Sequence, residues 1–305
     1  MFEDLKRIIR SYKEKRQSFS DMEIQGLVYP LPAGKKASEI IVVCNQKGGC
    51  AKTTTAINLG ACLAKKGASV LLLDLDPQAH ASLGLGVEVD NLRWTIYDVL
   101  IHNVELDKII ISSAIDNFFI APANHLLSGS QLELANLVAR ESILKINLNK
   151  LFLNRHFDYC IIDTSPTLNL VTLNGLVAAS SVLIPIQTHY YSLEGMKELF
   201  STIDVIRDRL NPGLRILGIL TTLFDGRIKI NNQMLEEIRE YFGDLVLKTI
   251  IHSNSKLLEA ARYKKPVINY APDSRGAKDY CGLAEEIDFI KNENNDARGA
   301  QQRAL

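Results

Sequence analysis

The chain has 305 residues, 47% of them hydrophobic and 23% charged, which is the composition of an ordinary globular protein with one large core. Lysine plus arginine equals aspartate plus glutamate at 35 each, so the overall charge favours neither nucleic acid nor an anionic membrane as a partner. The five scattered cysteines lack metal-type spacing, which argues against zinc and against disulfides.

Residues 1–37 form a basic arm and linker, with eight lysines or arginines against five acidic residues. Leu5, Ile8 and Tyr12 fall at helical spacing, which predicts a short amphipathic helix in the arm. The arm is a second possible source of contacts with DNA or a partner; the alternative is a leader without a partner. The N-terminus lacks the apolar core of a secretion signal, and no stretch approaches the roughly 20 apolar residues of a membrane span, so we expect a cytoplasmic protein.

From residue 38 onward, apolar β-rich runs alternate with helical patterns. Because the runs are nearly continuous in hydrophobicity, they predict an α/β fold: a mostly parallel twisted sheet flanked by helices on both faces. The predicted strands are 40–44, 70–75, 118–121, 159–163, 182–187, 216–221 and 245–250, and the predicted helices are 53–66, 168–178, 192–210, 231–242, 255–263 and 276–290. One domain over residues 38–291 is expected, followed by a disordered tail at 292–305, which has almost nothing to bury.

The segment 45–55, NQKGGCAKTTT, follows the first predicted strand and precedes a helix, the context that a phosphate-binding loop requires. Gly48 and Gly49 allow the tight turn that points backbone N–H groups at phosphate oxygens. Lys52 is expected to reach the β and γ phosphates, Thr53 to offer its hydroxyl to magnesium, and Thr54 to donate near the α phosphate. The alternative is a solvated Gly-Gly turn that leads into a helix.

Two acidic strand ends strengthen this interpretation. The run 70–75 is followed by Asp76 and Pro77, and its own Asp74 lies in an apolar stretch where a carboxylate needs a partner. The run 159–163 ends with Asp163. In phosphate-loop ATPases, an acid at the end of such an apolar strand holds magnesium through water. Acids at the carboxyl edge of an open α/β sheet lie where ligands bind, although an acidic turn is the alternative for the first segment.

With these motifs, the sequence resembles the ParA/Soj branch of the ParA/MinD ATPases, whose phosphate loop has an extra lysine before its two glycines. Lys47 matches that lysine, and the likeness spans about residues 39–290. Further matches lie at 74–78 (DLDPQ), 184–195 (IPIQTHYYSLEG), 225–227 (DGR) and 274–277 (SRGA).

The resemblance implies an ATP- and Mg²⁺-dependent ATPase in which ATP is enclosed between two subunits of a homodimer. Lys47 reaches the partner's nucleotide, Lys52 and Asp76 complete the catalytic set, and turnover is slow without a stimulating partner. Asp76 positions the attacking water and assists the metal, Asp163 holds Mg²⁺ through water, and the loop around Pro272 lines the adenine. The loop residues Gly48, Gly49, Cys50, Ala51, Lys52, Thr53 and Thr54 bind the phosphates.

Three departures from the family pattern stand out. Ala51 replaces the usual glycine before the catalytic lysine, and Cys50 replaces a common valine. A thiol near a helix N-terminus and a lysine is expected to have a lowered pKa, so we hypothesise that Cys50 is alkylated readily unless nucleotide protects it. The family's DNA-binding arginine is absent from the stretch 251–254, IHSN.

Other basic residues can replace that arginine, because nonspecific DNA affinity depends on how many phosphates are neutralised. Arg275 matches the family pattern. The candidate patch consists of Lys256, Arg262, Lys264, Lys265 and Arg275. The alternative is a solvated helix face that Glu259 and Asp273 balance.

The expected function is therefore DNA partition. ATP drives dimerisation, the dimer binds double-stranded DNA of the nucleoid or a plasmid, and a ParB-like centromere-binding protein triggers hydrolysis. The same switch could instead position a protein complex or regulate transcription. A MinD-like membrane ATPase is disfavoured because residues 292–305 lack an apolar face, and a metal-cluster reductase is disfavoured because Cys50, Cys62 and Cys160 lack the arrangement of cluster ligands.

Overall fold

A computed structural model describes residues 38–189 and 194–302, so the predicted arm at 1–37 lies outside the described residues. The strands are β1 (Glu39–Val43), β2 (Val70–Leu75), β3 (Ile111–Ser112), β4 (Phe118–Ala121), β5 (Tyr159–Thr164), β6 (Ser181–Gln187), β7 (Arg215–Phe224) and β8 (Val246–His252). The helices are α1 (Lys52–Lys65), α2 (His80–Gly84), α3 (Ile96–Ile101), α4 (Ser130–Leu134), α5 (Ile143–Asn154), α6 (Leu170–Ala178), α7 (Glu194–Arg209), α8 (Lys229–Phe242), α9 (Ser255–Arg262), α10 (Val267–Tyr270) and α11 (Arg275–Gln302).

The strands form one sheet in the order β3-β4-β2-β5-β1-β6-β7-β8. Every neighbouring pair is parallel except β3 and β4, the antiparallel pair at one edge. The predicted α/β class with a mostly parallel sheet is confirmed. In this order β1 lies between β5 and β6, so the chain leaves β1 in one direction and returns to its other side later, which creates a switch point at the carboxyl edge.

Helices cover both faces of the sheet, as the continuous hydrophobicity of the strands predicts. Successive strand residues point to opposite faces, so Val42 and Leu71 belong to one buried cluster, whereas Ile41 and Leu72 belong to the other. The first cluster includes buried side chains of α3 and α5 to α8. The second includes α1, α9, α10 and the first turns of α11, so the helix that follows the phosphate loop shares its core with the C-terminal helices.

Helix α1 approaches the sheet closely at Gly60. A Cβ at this position would lie 2.6 Å from the Phe118 ring of β4, and that ring is fully buried. On the other side of α1, the Tyr280 hydroxyl of α11 is 3.2 Å from Thr55 Oγ1. The helix is therefore held between the sheet and α11 with little room to move.

The sequence predicts disorder for residues 292–305, but the structure continues α11 to Gln302. Lack of apolar surface excludes a packed core, yet it does not prevent a helix from continuing through residues such as alanine, glutamine and glutamate. Helices α2 to α5, helix α10 and strand β3 have no counterpart among the predicted elements. Except for α5, which has 12 residues, these elements are short, and a short element has a weak periodic signal. Within the described ranges, no helix combines the length and apolar character that a membrane span requires.

Candidate functional site

The three segments singled out in the sequence meet at the carboxyl edge of the sheet. Strand β5 lies between β1 and β2, and Asp163 is in register with Val43 on one side and with Asp74 on the other. The loop after β1, Asp163 and the segment around Asp76 are consequently neighbours. This is the edge at which open α/β sheets bind ligands.

The loop between β1 and α1 has the backbone of an anion site. Gly49 has a φ of 74°, and Ala51, with φ 68° and ψ 32°, is also left-handed. Helix α1 then begins at Lys52, and no side chain of the described residues caps its N-terminus. Unsatisfied first-turn N–H groups and the positive end of the helix dipole favour an anionic ligand at this position.

Asn45 at the start of the loop, a side chain of β6 and a side chain of β7 hold this loop in place. Asn45 Nδ2 donates to the Pro185 carbonyl at 2.6 Å, and its Oδ1 accepts from the Lys47 N–H at 3.0 Å. Gln187 Nε2 donates to the Gly49 carbonyl at 2.6 Å, and Thr222 Oγ1 donates to the Cys50 carbonyl at 3.0 Å.

Asn45, Gln187 and Thr222 were not among the predicted site residues. Each is a polar residue within two positions of the carboxyl end of an apolar strand, and that position is the signal that could have identified them.

Lys52 is buried, and its ammonium donates from Nζ to the Lys47 carbonyl at 3.1 Å. The lysine therefore folds back over its own loop, with its charge at the mouth of the anion site. Lys47 is half-buried, whereas Gly48 and Gly49 between them are exposed. The backbone of Gly48 and Gly49 is thus exposed to solvent, whereas the side chain of Lys52 is buried.

The prediction of a reactive Cys50 is wrong. Cys50 is fully buried, and its thiol donates to the Lys47 carbonyl at 3.2 Å. Burial raises the pKa of this thiol despite the opposing effect of the Lys52 charge. A buried thiol of raised pKa is a poor nucleophile, so Cys50 is a core residue beneath the loop and not a reactive one.

Asp163 is completely buried at the end of β5, and neither carboxylate oxygen has a hydrogen-bond partner of good geometry. Burial and the neighbouring Asp74 raise the pKa of Asp163 well above its usual range. The Thr53 hydroxyl is close enough to oppose this shift, although it forms no hydrogen bond of good geometry with the carboxylate. An unpartnered buried carboxylate beside a hydroxyl fits a site completed by a cation.

Asp74 has a different role from Asp163, because its carboxylate is fully hydrogen-bonded. It accepts from the Asp76 N–H at 3.1 Å, and from the Ser82 N–H and hydroxyl at 2.9 and 2.7 Å. Burial raises the pKa of Asp74 to about 6. The partner that the sequence analysis required for this acid is Ser82 at α2. Asp74 therefore anchors the turn that carries Asp76, whose Oδ1 accepts from the Gln78 N–H at 2.9 Å.

Pro272 lies in a groove of about 610 Å³ that it shares with Lys256, Ser253 and Asn254, and no residue of the phosphate loop lines this groove. The connection to the loop runs through α1. Asn58 Oδ1 accepts from the Val267 N–H at 2.7 Å, and Asn58 Nδ2 donates to the Thr54 carbonyl at 2.8 Å. The segment that leads to Pro272 is thereby tied to the first turn of α1.

Two of the five candidate DNA-binding residues have polar partners, and the other three line one cavity. Lys256 pairs with Glu259 at 2.8 Å, and Arg275 donates to His252 Nε2 at 2.8 Å. Arg262, Lys264 and Lys265 are exposed and line a separate cavity of about 410 Å³. Thr53, Thr54 and His80 also line this cavity, and none of its described lining residues is acidic. The basic surface thus adjoins the phosphate loop.

Among the described residues, no group of three or more histidines, cysteines or acids is arranged to hold a metal ion. A divalent cation at this site would therefore depend on the Thr53 hydroxyl, on Asp163 and on ligand or water oxygens. Mg²⁺ binds in this manner, because it keeps several waters and uses few protein carboxylates.

Comparison with known proteins identifies relatives that cover most of the chain. Residues 38–216 match the AAA domain family AAA_31. The chain is 43% identical to the sporulation initiation inhibitor protein Soj of Bacillus subtilis, over 82% of this chain and 98% of the relative. It is likewise 43% identical to the chromosome partitioning protein ParA of Myxococcus xanthus, over 81% and 87% of the two chains.

A solved structure shares the fold. The cobyrinic acid a,c-diamide synthase of Mycobacterium smegmatis, crystallised with ADP and magnesium, superimposes with a TM-score of 0.71 at 34% identity, covering 82% of this chain and 93% of that one. The same protein has also been crystallised with an ATP analogue and magnesium. That relative thus binds an adenine nucleotide and magnesium on a fold shared with this chain.

The left-handed Ala51 leads to a stability prediction. A Cβ in this conformation costs about 1 kcal/mol, so Ala51→Gly should raise the free energy of unfolding by roughly 0.5–1 kcal/mol in the absence of nucleotide. Chemical denaturation measures the change. Ala56→Gly, at a buried position inside α1, is the matched control and should lower stability. Destabilisation by both substitutions would contradict the proposed strain at Ala51.

The buried acids lead to a pH prediction. Between the ordinary Asp pKa of 3.8 and the raised value of about 6 for Asp74, the folded chain retains protons that the unfolded chain has released. The contribution of Asp74 to the free energy of unfolding must therefore fall as pH rises through this window. The contribution of Asp163, whose pKa is also raised, changes in the same direction. We expect Asp163→Asn to flatten the dependence of Tm on pH between 5 and 8 in nucleotide-free, metal-free protein. An unchanged slope would contradict the raised pKa, and Asp107→Asn, at a largely exposed acid, is the control.

Proposed function

Because the chain belongs to the ParA/Soj family of ATPases, we propose that it is a partition ATPase that binds ATP with Mg²⁺, dimerises around the nucleotide and holds DNA in that state. The observation that carries the proposal is the buried Asp163, which lacks a hydrogen bond and lies beside Thr53 at the N-terminus of α1. A cation bound together with the phosphates would give both the Asp163 carboxyl and the Thr53 hydroxyl a partner.

The residues of the loop have distinct roles in binding the triphosphate. The backbone from Gly48 to Ala51 and the N-terminus of α1 surround the phosphates with N–H donors. Lys52, which contacts the Lys47 carbonyl, turns toward the β and γ phosphates when they arrive. Gln187 and Thr222 hold the loop carbonyls from behind, so the donors are positioned before the ligand binds.

Magnesium, when bound, neutralises charge on the β and γ phosphates. Thr53 would supply its hydroxyl to the ion, and Asp163 would hold one of its waters. Because burial raises the pKa of Asp163, cation binding would require the loss of a proton from this carboxyl. Nucleotide affinity should therefore be weaker at acidic pH than at neutral pH.

Asp76 is the residue that we assign to the attacking water. It lies in a turn held on one side by Asp74 and on the other by its own bond to the Gln78 N–H. Its position next to Asp163 and the phosphate loop allows it to accept a hydrogen bond from a water in line with the γ phosphate. Substitution of Asp76 should leave nucleotide binding intact while turnover stops.

Lys47 is assigned to the partner's site. Its own loop already uses Lys52, and Lys47 precedes the exposed Gly48 and Gly49, the part of the loop nearest to an approaching second copy. A lysine supplied by the other subunit adds a positive charge where negative charge develops in the transition state. Because the monomer lacks that charge, turnover is slow unless dimerisation and a ParB-like partner bring the sites together.

DNA binding is assigned first to Arg262, Lys264 and Lys265. These exposed residues line a cavity without acidic lining residues. Thr53 and Thr54 of the phosphate loop line the same cavity, so the basic residues lie close to the loop. Lys256 is a weaker contributor because Glu259 neutralises it. Contacts of this kind neutralise backbone phosphates without sequence preference and weaken as salt rises.

The proposal predicts that nucleotide controls DNA retention. Wild-type protein with ATP and Mg²⁺ should sediment as a dimer and remain on DNA at low salt. Lys52→Ala should lose both properties, and Asp76→Ala should keep both while its ATPase rate falls by a factor of about 10² or more. Lys108→Ala, at an exposed lysine that pairs with Glu105, is the control.

DNA retention that is independent of nucleotide would contradict the partition mechanism. A nucleotide-dependent dimer that never binds DNA would instead favour the positioning of a protein complex. In that case the basic cavity beside the phosphate loop would belong to a protein interface.

The assignment of Lys47 to the partner's site predicts complementation between two inactive variants. Lys47→Ala and Asp76→Ala should each have low ATPase activity alone. In a mixed dimer, the Lys47→Ala subunit keeps Asp76 and receives Lys47 from the other subunit, so one site becomes complete and activity partly returns.

The control for complementation is a mixture of Lys47→Ala with the Lys47→Ala/Asp76→Ala double variant, which restores neither residue. If mixed dimers form by sedimentation and activity does not return, Lys47 acts within its own subunit and the assignment is wrong.

A further inference from the structure

Two cysteines outside the nucleotide site lie in contact with each other. Cys62 Sγ and Cys281 Sγ are 3.3 Å apart, although 219 positions separate the residues in sequence. Both are free thiols. A disulfide has a sulfur–sulfur distance of about 2.05 Å, so a small shift of the two side chains would suffice to close the bond.

The helices that carry the two cysteines are held together independently of the sulfurs. Cys62 lies on α1 and Cys281 on α11, and the neighbouring Tyr280 is buried with its hydroxyl 3.2 Å from Thr55 of α1. Leu283 and Ala284 of α11 are buried in the same cluster as Cys62. The contact is thus part of a packed helix pair, which keeps the thiols together.

The two thiols differ in access to solvent. Cys62 is 1% exposed, whereas Cys281 is partly exposed. The other cysteines, Cys44, Cys50 and Cys160, are all buried. Cys281 is therefore the thiol that a small oxidant in solution reaches first, and Cys62 lies directly behind it.

We propose that Cys62 and Cys281 form a redox-active pair that closes to a reversible intrachain disulfide on reaction with a peroxide. In the first step the Cys281 sulfur attacks the peroxide O–O bond. With hydrogen peroxide, this step gives a sulfenic acid and one water.

In the second step the Cys62 sulfur attacks the Cys281 sulfur and displaces hydroxide, which leaves as water with the Cys62 proton. The two thiols together lose two electrons, the peroxide gains them, and a dithiol reductant reverses the bond.

The order of these steps follows from the environment of the pair. Burial and the contact with Cys281 raise the pKa of the Cys62 thiol, which slows its direct reaction with peroxide. In the second step the low reactivity of the Cys62 thiol matters less, because its target sulfur on Cys281 is already in contact and therefore at a high effective concentration. Thiols of the cytosol are normally kept reduced, so a disulfide of this kind would be transient and regulatory.

The bond would join two helices that both begin near the nucleotide site. Helix α1 starts at Lys52 and Thr53, and α11 starts at Arg275, just after the loop that carries Pro272. Closing the disulfide fixes the distance between these helices. It also restrains the unfolded chain, so the oxidised protein should be more stable than the reduced one.

Peroxide treatment of the full chain, followed by blocking of free thiols and peptide mapping without reductant, tests the proposal. We expect a linked peptide pair containing Cys62 and Cys281, removal of the link by dithiothreitol, and a higher Tm for the oxidised protein. Cys160→Ser, at a buried cysteine outside the pair, should behave like wild type. Cys281→Ser should form no link and show no peroxide-dependent rise in Tm, and Cys62→Ala should leave Cys281 trapped as a sulfenic acid.

Three results would overturn the proposal. The first is oxidation of Cys281 to the sulfinic or sulfonic state in wild-type protein without a link to Cys62. The second is a link that forms only in denaturant, which would mean that the native contact does not guide it. The third is a Tm that falls on oxidation, which would show that the packed helices cannot accommodate the bond.

Discussion

The structure of the site depends on one unfavourable interaction, the burial of Asp163 next to Asp74 at the end of two adjacent strands. Two buried acids on neighbouring strands cannot both be charged without a large electrostatic cost. Of the two, only Asp74 has hydrogen-bond donors that stabilise its charged form. The Asp163 carboxyl is therefore the group that the proposed divalent cation would satisfy. Folding positions the acid, and ligand binding removes the cost of burying it.

The phosphate loop also contains an unfavourable feature that the surrounding structure stabilises. Ala51 adopts a left-handed conformation that a side chain disfavours, and the cost falls within the loop that binds the phosphates. Bonds from Asn45, Gln187 and Thr222 keep the loop in place despite this cost. These bonds connect the loop to two strands, β6 and β7, so the loop is shaped by the sheet as much as by its own glycines.

Much of this could be predicted from the sequence, because the relevant signals are local. The strand before the phosphate loop, the strand that carries Asp163 and the helix that begins at Lys52 each correspond to one continuous run of residues, and the structure confirms all three. The environment of Cys50 could not be predicted in this way. A lysine and a helix N-terminus beside a thiol suggest a low pKa, but burial in the folded chain outweighs both.

Other features depend on contacts between distant parts of the chain. The bond from Thr222 to the Cys50 carbonyl joins residues 172 positions apart, so the sequence can mark Thr222 as a polar residue near a strand end but cannot identify its partner. The bond between Arg275 and His252 and the cavity that Arg262, Lys264 and Lys265 line likewise depend on the folded arrangement. Short helices such as α2 also escaped prediction, although α2 supplies the partner of Asp74.

The close approach of Gly60 to the Phe118 ring has a consequence for how nucleotide is sensed. With α1 confined between β4 and Tyr280, the helix cannot slide when the phosphates arrive. Helix α1 thus acts as a fixed reference for the loop that precedes it. The amides of its buried central turns should accordingly be among the slowly exchanging ones of the fold.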